Sequence, residues 1–292
     1  MERRSTEMPQ QVVGKGEVSG EEEDYSLKRF ASHPFYTAMN RRLVKLCELQ
    51  PWWRVVDLGC GIGAVTWLLV EEVCGDGGQV IAIEPLGEAL EEARRSLAHL
   101  PKVAVRFLKR RGEDLMHCAS VRSMDGVLFC NAIHLVPDKS LVLQNIHAVL
   151  RPGGVFAFNS AFFEGAQSAD TFPFYTAWIR HALHIFKDDY PDIRRKKEGK
   201  AQARILLTPE EYRQLLEDEG FELEYLELCP VELPLEGFED ISGYELFARG
   251  ALPGVPLAVA VDCLKRGVAE AFRDLNLTSV TRNWLQVVAV KA

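Results

Sequence analysis

The sequence has 292 residues, 47% of them hydrophobic and 26% charged, which is the composition of a globular protein with one large domain or a core domain carrying an insertion. Its net charge of −8 disfavours a broad contact with nucleic acid, because such binding needs a basic surface. No apolar run approaches the roughly 20 residues that cross a bilayer, and the N-terminus lacks a signal-peptide core. We therefore expect a cytoplasmic protein with no membrane or nucleic-acid partner.

The cysteines point to the same compartment. There are seven, they form no C-x-x-C pair, and most lie in apolar stretches. This pattern predicts reduced, buried thiols rather than disulfides, and it predicts no metal site.

The predicted elements begin after a polar tail. Residues 1–24 lack apolar periodicity and are expected to be disordered. Residues 25–51 carry apolar side chains at spacings of three and four, which predicts an N-terminal helical cap. Strands and helices then alternate, which predicts a doubly wound, mostly parallel α/β sheet with helices on both faces. The predicted strands are Arg54–Leu58, Val80–Glu84, Val103–Leu108, Gly126–Cys130, Val155–Ser160, Phe221–Leu228 and Trp284–Val290, with helices at about 64–74, 86–99, 138–150, 208–220 and 256–274.

The alternation is interrupted after Ser160. Residues 161–204 combine an aromatic-rich stretch, a helical pattern and a basic run, and we interpret them as an inserted helical lid. Alternation resumes at Thr208, where a capping threonine followed by proline predicts the start of a helix. The α/β domain is therefore expected to comprise residues 52–160 and 205–292.

A glycine-rich turn joins the first strand to the next helix. Its glycines, Gly59, Gly61 and Gly63, permit a left-handed backbone and close approach of a ligand. Glu84, at the end of the second strand, is placed to bind two ribose hydroxyls. This pattern fits a dinucleotide or S-adenosylmethionine, and the glycines alone also fit a tight turn. Asp57 adds a negative charge that suits a sulfonium and an amino group, although it equally fits a strand-end cap.

The order of the motifs resembles that of the class I S-adenosylmethionine-dependent methyltransferases. The D-x-G-x-G-x-G pattern from Asp57 and the acid at Glu84 match the first two motifs of that family. Three more segments follow in the family's order, namely Arg111–Leu115 after the third strand, Val127–His134 on the fourth, and Leu150–Gly154 before the fifth, which we interpret as a helix end and turn. The resemblance covers about residues 52–160 and 208–291.

This resemblance implies a Rossmann-like, seven-stranded fold, S-adenosylmethionine as cofactor, and methyl transfer to an oxygen, nitrogen or carbon of a small molecule. It implies that the cofactor is bound by Asp57, Gly59, Cys60 and Gly61 near its methionine end, by Glu84 at the ribose, by Gly112 and Glu113 at the adenine, and by the Asn131 carbonyl near the sulfonium. Arg111 stands where family members often carry an acid. Either Glu113 replaces that acid or the register differs by one residue.

The chemistry needs few groups. Methyl transfer is an in-line displacement, so positioning of the acceptor supplies most of the catalysis. A base is needed only if the acceptor loses a proton, and His134, just after the fourth strand, is the candidate. The alternative is a histidine that packs in the loop or caps the helix at Asp138. The sequence leaves the acceptor and the oligomeric state open.

Two other functions compete with this one. An NAD-type oxidoreductase would use the same glycine loop and acid, but Asp57 and the later motifs disfavour it. A cofactor-binding protein without turnover would keep Asp57, the glycines and Glu84, so these residues do not decide against it. A macromolecular acceptor is disfavoured by the acidic charge.

Overall fold

The computed structural model describes residues 25–73, 76–100, 105–196 and 206–292. The predicted tail, residues 1–24, lies outside the described residues, as do residues 197–204 of the predicted lid and the first two residues of the predicted third strand. In the described part of the chain, no helix is long and apolar enough to cross a bilayer.

The centre of the fold is a seven-stranded sheet in the order β3-β2-β1-β4-β5-β7-β6. The first five strands are mutually parallel, whereas β7 runs antiparallel to both β5 and β6. The predicted mostly parallel, doubly wound sheet is confirmed. The strands are β1 Arg54–Leu58, β2 Gln79–Ile83, β3 Val105–Leu108, β4 Met124–Cys130, β5 Leu150–Ser160, β6 Phe221–Pro234 and β7 Ser279–Lys291.

The helices agree with the predicted ones in the parallel half and outnumber them elsewhere. The predicted N-terminal helix is divided at Pro34, because the residue before a proline is driven out of the helical region and His33 is extended. Two helices after β6 were not predicted. The described helices are α1 Lys28–Ala31, α2 Pro34–Leu46, α3 Ala64–Val73, α4 Gly87–Ser96, α5 Lys139–Val149, α6 Phe172–Asp189, α7 Pro209–Asp218, α8 Leu235–Ser242, α9 Glu245–Ala251 and α10 Leu257–Asp274.

The segment Leu150–Gly154 is part of β5 rather than a helix end and turn before it. Leu150 pairs with Met124, and the next pair in the ladder joins Val155 to Gly126, so the intervening residues form an irregularity within the strand. Gly153 adopts a φ of +69°, which glycine accommodates without strain. The glycine turn expected from the sequence is present, but the pairing of β5 with β4 begins before it, at Leu150.

Apolar layers cover both faces of the sheet. One layer packs α2 and α3 against β1, with Leu43 and Leu69 fully buried. The opposite layer packs α5 and α7 against the other face, with Ile146 and Tyr212 buried. A further cluster joins α6, α8 and α10 around Trp178 and extends to α2 and the near ends of β6 and β7. The carboxyl ends of the parallel strands are therefore bordered by helices from the N-terminal, inserted and C-terminal parts of the chain.

Candidate active site

The candidate site lies at the carboxyl ends of β2, β1, β4 and β5. The strand order reverses between β1 and β4, and crevices at such points are the usual ligand sites of open α/β sheets. Leu58 pairs with Ile83, and Cys130 pairs with Asn159. This register brings the segments that follow β1, β2 and β4 to one edge, next to the end of β5.

The glycine loop after β1 is held against the end of β2. The backbone N–H groups of Gly59 and Cys60 both donate to the Ile83 carbonyl, at 2.8 and 3.0 Å. A Cβ atom on Gly59 would lie 2.8 Å from the Ala132 Cβ, whereas one on Gly61 would meet nothing within 4 Å. Gly59 is thus required by packing, and the open space beside Gly61 fits a closely approaching ligand.

The Cys60 side chain packs with Ala82 of β2 and Leu90 of α4. It is buried, its thiol lies 3.8 Å from the Gly61 carbonyl oxygen, and its pKa is raised by burial, with further contributions from Asp57 and Glu84. A thiol with a raised pKa is a poor nucleophile. Cys60 therefore contributes packing and backbone to the loop rather than reactivity.

Glu84 connects the second strand to the glycine loop. Its carboxylate accepts the Gly61 N–H at 3.0 Å and the Leu86 N–H at 2.9 Å, one on each oxygen. The side chain is buried, and burial raises its pKa although both hydrogen bonds act in the opposite direction. A carboxylate offers about four acceptor positions, so two remain for a pair of hydroxyl groups. The geometry fits the ribose-binding role predicted for this residue.

Asp57 forms a link between β1 and α3. Its side chain is 1% exposed and accepts a hydrogen bond from the Thr66 hydroxyl at 2.6 Å. Burial raises the pKa of Asp57 to about 7, the Thr66 hydroxyl opposes that change, and nearby Glu84 adds to it. The strand-end role weighed in the sequence analysis is present in the structure. Contact with the cofactor remains a prediction for this residue, and Thr66 was missed.

Asn131 follows β4 in a left-handed conformation, with a φ of 50°. Its backbone N–H donates to the carbonyl oxygen of Asn159 at 2.9 Å and contacts its side-chain oxygen at 3.1 Å, while its own side-chain oxygen accepts the Ala161 N–H at 3.1 Å. These bonds fix the backbone that was predicted to face the sulfonium.

A buried amide group continues this network into α2. The Asn159 side chain donates to Asn40 at 2.9 Å, which ties the end of β5 to the N-terminal helices. Tyr36, one turn earlier on α2, is buried, and its pKa is raised by burial while the amides of Asn131 and Asn40 act to lower it. The N-terminal cap thus supplies polar side chains as well as apolar cover.

His134 lies in a short 3-10 helix, Ile133–Leu135, beside these residues. It is buried, its Nδ1 atom is 3.2 Å from the Ser160 hydroxyl, and its ring centroid is 4.7 Å from that of Phe162. Asp138 caps α5 with its own carboxylate, which accepts the Leu141 N–H at 3.0 Å. His134 is therefore not needed as that cap, and its role as a base remains a prediction.

Gly112 and Glu113 begin a second 3-10 helix, Gly112–His117, after β3. The pairing of β2 with β3 extends to this edge of the sheet, because the Glu84 N–H donates to the Leu108 carbonyl at 3.1 Å. The Glu113 carbonyl oxygen accepts a hydrogen bond from Asn145 at 3.0 Å, which anchors the segment to α5. Arg111 is exposed. The segment reaches the correct edge for adenine, and the individual contacts remain predictions.

A cavity of about 250 Å³ lies beside the glycine loop. The Lys28–Glu92 ion pair, 2.7 Å long, joins α1 to α4 at this cavity. Glu84 and Asn131 do not line this cavity, so the candidate site is defined by the polar groups that converge at the strand ends. The lining residues are Lys28, Thr37, Ile62, Gly63, Ala64, Trp67, Glu92, Ser96 and Leu97. Within the described ranges, no group of three or more His, Cys, Asp or Glu side chains could hold a metal ion.

Several site residues were not found by sequence reasoning. Asn159 and Ser160 end an otherwise apolar strand, and both are fully buried. Two buried polar residues at the carboxyl end of a parallel strand are a usable signal, because burial of a polar group requires a partner. Asn40 carries no comparable local signal, since its partner Asn159 is 119 residues away, whereas Thr66 lies nine residues from Asp57 and was overlooked.

Comparisons with known proteins agree with this arrangement. A family model described as a methyltransferase domain matches residues 50–220. The aklanonic acid methyltransferase DauC of Streptomyces sp. (strain C5) is 34% identical over 153 residues, which are 51% of this chain and 66% of that protein. The region matched in the other curated relatives is a smaller share of their length than it is in DauC.

Solved structures show the same fold. A methyltransferase structure from Bacillus halodurans has a TM-score of 0.57 at 16% identity and covers 87% of this chain and 99% of its own. Phosphoethanolamine N-methyltransferase 2 of Haemonchus contortus, solved with phosphomonomethylethanolamine and S-adenosylhomocysteine, has a TM-score of 0.53 at 15% identity. It covers 91% of this chain and 56% of its own.

Proposed function

We propose that this chain, which belongs to the methyltransferase family, transfers the methyl group of S-adenosylmethionine to an oxygen, nitrogen or carbon atom of a small molecule. The observation that carries the proposal is the joint placement of Glu84 and the glycine loop. A buried carboxylate at the end of β2 is fixed by the Gly61 N–H at 3.0 Å, beside a glycine whose side-chain position is open. Family membership decides against the NAD-type oxidoreductase.

The residues at this edge fit the cofactor. When bound, S-adenosylmethionine supplies a methyl group on a positively charged sulfur, which an acceptor atom displaces. Glu84 would bind the two ribose hydroxyls, while Gly59, Cys60 and Gly61 offer backbone to the methionine end. Asp57 would supply negative charge beneath that end.

The remaining cofactor contacts come from the neighbouring strand ends. Gly112 and Glu113 would flank the adenine, because their segment follows β3, the strand next to β2. Asn131 would present its backbone carbonyl to the sulfonium. The left-handed φ of 50° and the bonds to Asn159 hold that carbonyl in a single orientation.

The acceptor would be positioned between the strand ends and the helices that cover them. His134 would take the proton that an O–H or N–H acceptor loses, and a carbon acceptor that is already nucleophilic would not need it. We propose the described part of the predicted lid, residues 161–196, as a cover over this position and residues 25–51 as the cap opposite. Two of the three proteins named above, the aklanonic acid and the phosphoethanolamine methyltransferases, are named after small molecules, which supports an acceptor of that class.

We also propose that the protein works in the cytoplasm without nucleic-acid or membrane partners. The six cysteines of the described residues are all free and buried, which supports a reducing compartment. The net charge of −8 disfavours a polyanionic acceptor such as nucleic acid.

Two measurements test the function. Calorimetry with S-adenosylmethionine and, separately, NAD should show binding of the first alone. Cell extracts depleted of small molecules and then resupplied with them should accept a labelled methyl group in the small-molecule fraction only. A protein that fails to bind S-adenosylmethionine does not have the proposed function, and label in nucleic acid would overturn the acceptor class.

A further inference from the structure

The Ser160 hydroxyl meets three polar partners. It lies 3.2 Å from the His134 Nδ1 atom, 2.9 Å from the Phe162 backbone nitrogen and 3.1 Å from the Phe162 carbonyl oxygen. Ser160 ends β5 and is fully buried, so these contacts are made away from solvent. Loss of a partner would leave a buried polar group unsatisfied, which is unfavourable.

One assignment of protons satisfies all three contacts. A hydroxyl has one hydrogen to donate and two lone pairs to accept with. The Phe162 N–H can only donate and its carbonyl can only accept, so the Ser160 hydroxyl accepts from the former and donates to the latter. The second lone pair then faces His134, whose Nδ1 atom must carry a hydrogen. If Ser160 donated to Nδ1 instead, the contact with the Phe162 carbonyl would lack a hydrogen.

We infer that Ser160 is a positioning residue that holds His134 in the Nδ1–H tautomer, with the lone pair on Nε2. The partner of one imidazole nitrogen decides the state of the other, and here that partner is a buried hydroxyl whose own hydrogen is directed elsewhere. The inference rests on the proposed function only in its consequence, which is that Nε2 is the atom able to accept a proton from the methyl acceptor.

Arg282, on β7, holds the backbone that directs Ser160. Its Nε and Nη2 atoms donate to the Ala161 carbonyl at 2.9 and 2.6 Å, and its guanidinium lies 5.2 Å from the Phe162 ring centroid. The Phe162 ring in turn packs against the His134 ring, 4.7 Å away. The Ala161 carbonyl and the Phe162 N–H belong to one peptide group, so Arg282 holds the N–H that donates to the Ser160 hydroxyl.

Nitrogen-15 NMR of the imidazole rings tests the tautomer directly. The His134 signals are assigned by their loss in His134→Gln, and the pH is raised until the shifts stop changing, so that the ring is neutral. We expect Nδ1 to show the protonated type of shift and Nε2 the unprotonated type. In Ser160→Ala both shifts should move towards the opposite tautomer, and Ser160→Thr, which keeps the hydroxyl, should retain the wild-type pattern.

Ser242→Ala is the matched control, because it removes another fully buried serine hydroxyl, one that donates to the Phe238 carbonyl at 2.6 Å. Its His134 shifts should equal those of the wild type. An Nε2–H tautomer in the wild type, or unchanged shifts in Ser160→Ala, would overturn the inference. If Ser160→Ala does not fold, the wild-type spectrum still decides. If the wild type transfers no methyl group, the function fails while the tautomer result stands.

Discussion

At the scale of single residues, Glu84 offers the most direct test of cofactor binding. Glu84→Ala removes a carboxylate that would accept two ribose hydroxyls and that already orders Gly61 through a 3.0 Å hydrogen bond. Hydrogen bonds to charged groups contribute about 1.5–3 kcal/mol each, so we expect the affinity for S-adenosylmethionine to fall by at least about 10- to 100-fold. Titration calorimetry measures the change.

Glu91→Gln is the control for that substitution. Glu91 is an acid on α4 whose side chain is 66% exposed, so its removal changes the net charge as Glu84→Ala does without altering the strand end. Affinity in this variant should stay at the wild-type value. Equal affinities in Glu84→Ala and wild type would remove Glu84 from the binding site.

Asp57 predicts a dependence of stability on pH. Burial raises its pKa in the folded protein to about 7, from an ordinary value of 3.8. Between these values the folded state binds a proton that the unfolded state has released, so the contribution of Asp57 to stability falls as pH rises through this window and is constant above it. The full change is at most about 4 kcal/mol, at about 1.4 kcal/mol per pKa unit.

Asp57→Asn isolates this contribution, because asparagine keeps an oxygen for the Thr66 hydroxyl and does not ionise. Urea unfolding at about pH 5 and about pH 8 should show the stability of the variant rising relative to wild type at the higher pH. The exposed Asp76, changed to Asn, should leave the wild-type pH dependence in place. Parallel pH curves for Asp57→Asn and wild type would contradict the raised pKa.

At the scale of elements, the parallel half of the fold was predictable and the antiparallel half was less so. β1 was predicted to the residue, because buried parallel strands are continuous apolar runs that end at a glycine. β6 was predicted only to Leu228 and continues to Pro234, although buried and exposed side chains alternate beyond that point. Pro230 and Pro234 obscured this alternation, because proline argues against a strand, and α8 and α9 were missed because both are short.

The residues of the candidate site also divide into those that the sequence predicted and those that it did not. Residues on the glycine loop and at the end of β2 were found because the spacing of glycines and acid is local in sequence. Arg282 acts through a contact with the Ala161 carbonyl, which is 121 residues away in the chain. No local pattern encodes a pairing of that length.

The glycine loop allows a test with a matched pair of substitutions. Gly59 and Gly61 both have positive φ, at +68° and +54°, so alanine is strained at either position by about 1–2 kcal/mol. At Gly59 the new Cβ also lies 2.8 Å from the Ala132 Cβ, which adds an overpacking cost of roughly 1–3 kcal/mol. We expect Gly59→Ala to lower the free energy of unfolding clearly more than Gly61→Ala does.

The affinity for the cofactor should differ between these two variants in the opposite direction, with the larger loss in Gly61→Ala. Gly61→Ala places a methyl group in the open space beside the loop, so it should weaken S-adenosylmethionine binding more than its modest effect on stability indicates. Denaturant unfolding and calorimetry on both variants provide the two readouts. Equal losses of stability in the two variants would show that the contact with Ala132 does not constrain Gly59.

At the scale of the whole molecule, the helices beyond the sheet form a unit with its own apolar cluster, and Ile62 of the glycine loop packs against that cluster. α6 and α10 are joined by the Trp178 indole, which donates to the Leu264 carbonyl at 2.8 Å, and by His181, whose ring nitrogens lie 3.0 Å from Glu270 and 3.0 Å from Asp274. Their apolar cluster contains residues of α2 and of β7 as well. The inserted and C-terminal segments therefore depend on each other for their placement over the strand ends.

Gly267, in the middle of α10, tests this dependence. A Cβ atom there would lie 2.7 Å from the Ala182 backbone nitrogen on α6, so the two helices are as close as their backbones allow. Helix propensity alone predicts that Gly267→Ala stabilises the protein by about 0.5–1 kcal/mol. The contact predicts the opposite sign, a net loss of roughly 1–2 kcal/mol, because the backbone of α6 cannot give way as a flexible side chain would.

Two readouts separate the consequences. Urea unfolding should show the loss of stability, and calorimetry should give an affinity for S-adenosylmethionine close to that of the wild type, because Glu84 and the glycine loop lie on other elements. Turnover should fall, since displacement of α6 disturbs the lid proposed to position the acceptor. A gain in stability would mean that α6 and α10 are not in close contact. A loss of cofactor affinity equal to the loss in turnover would mean that the helices and the cofactor loop act as one unit.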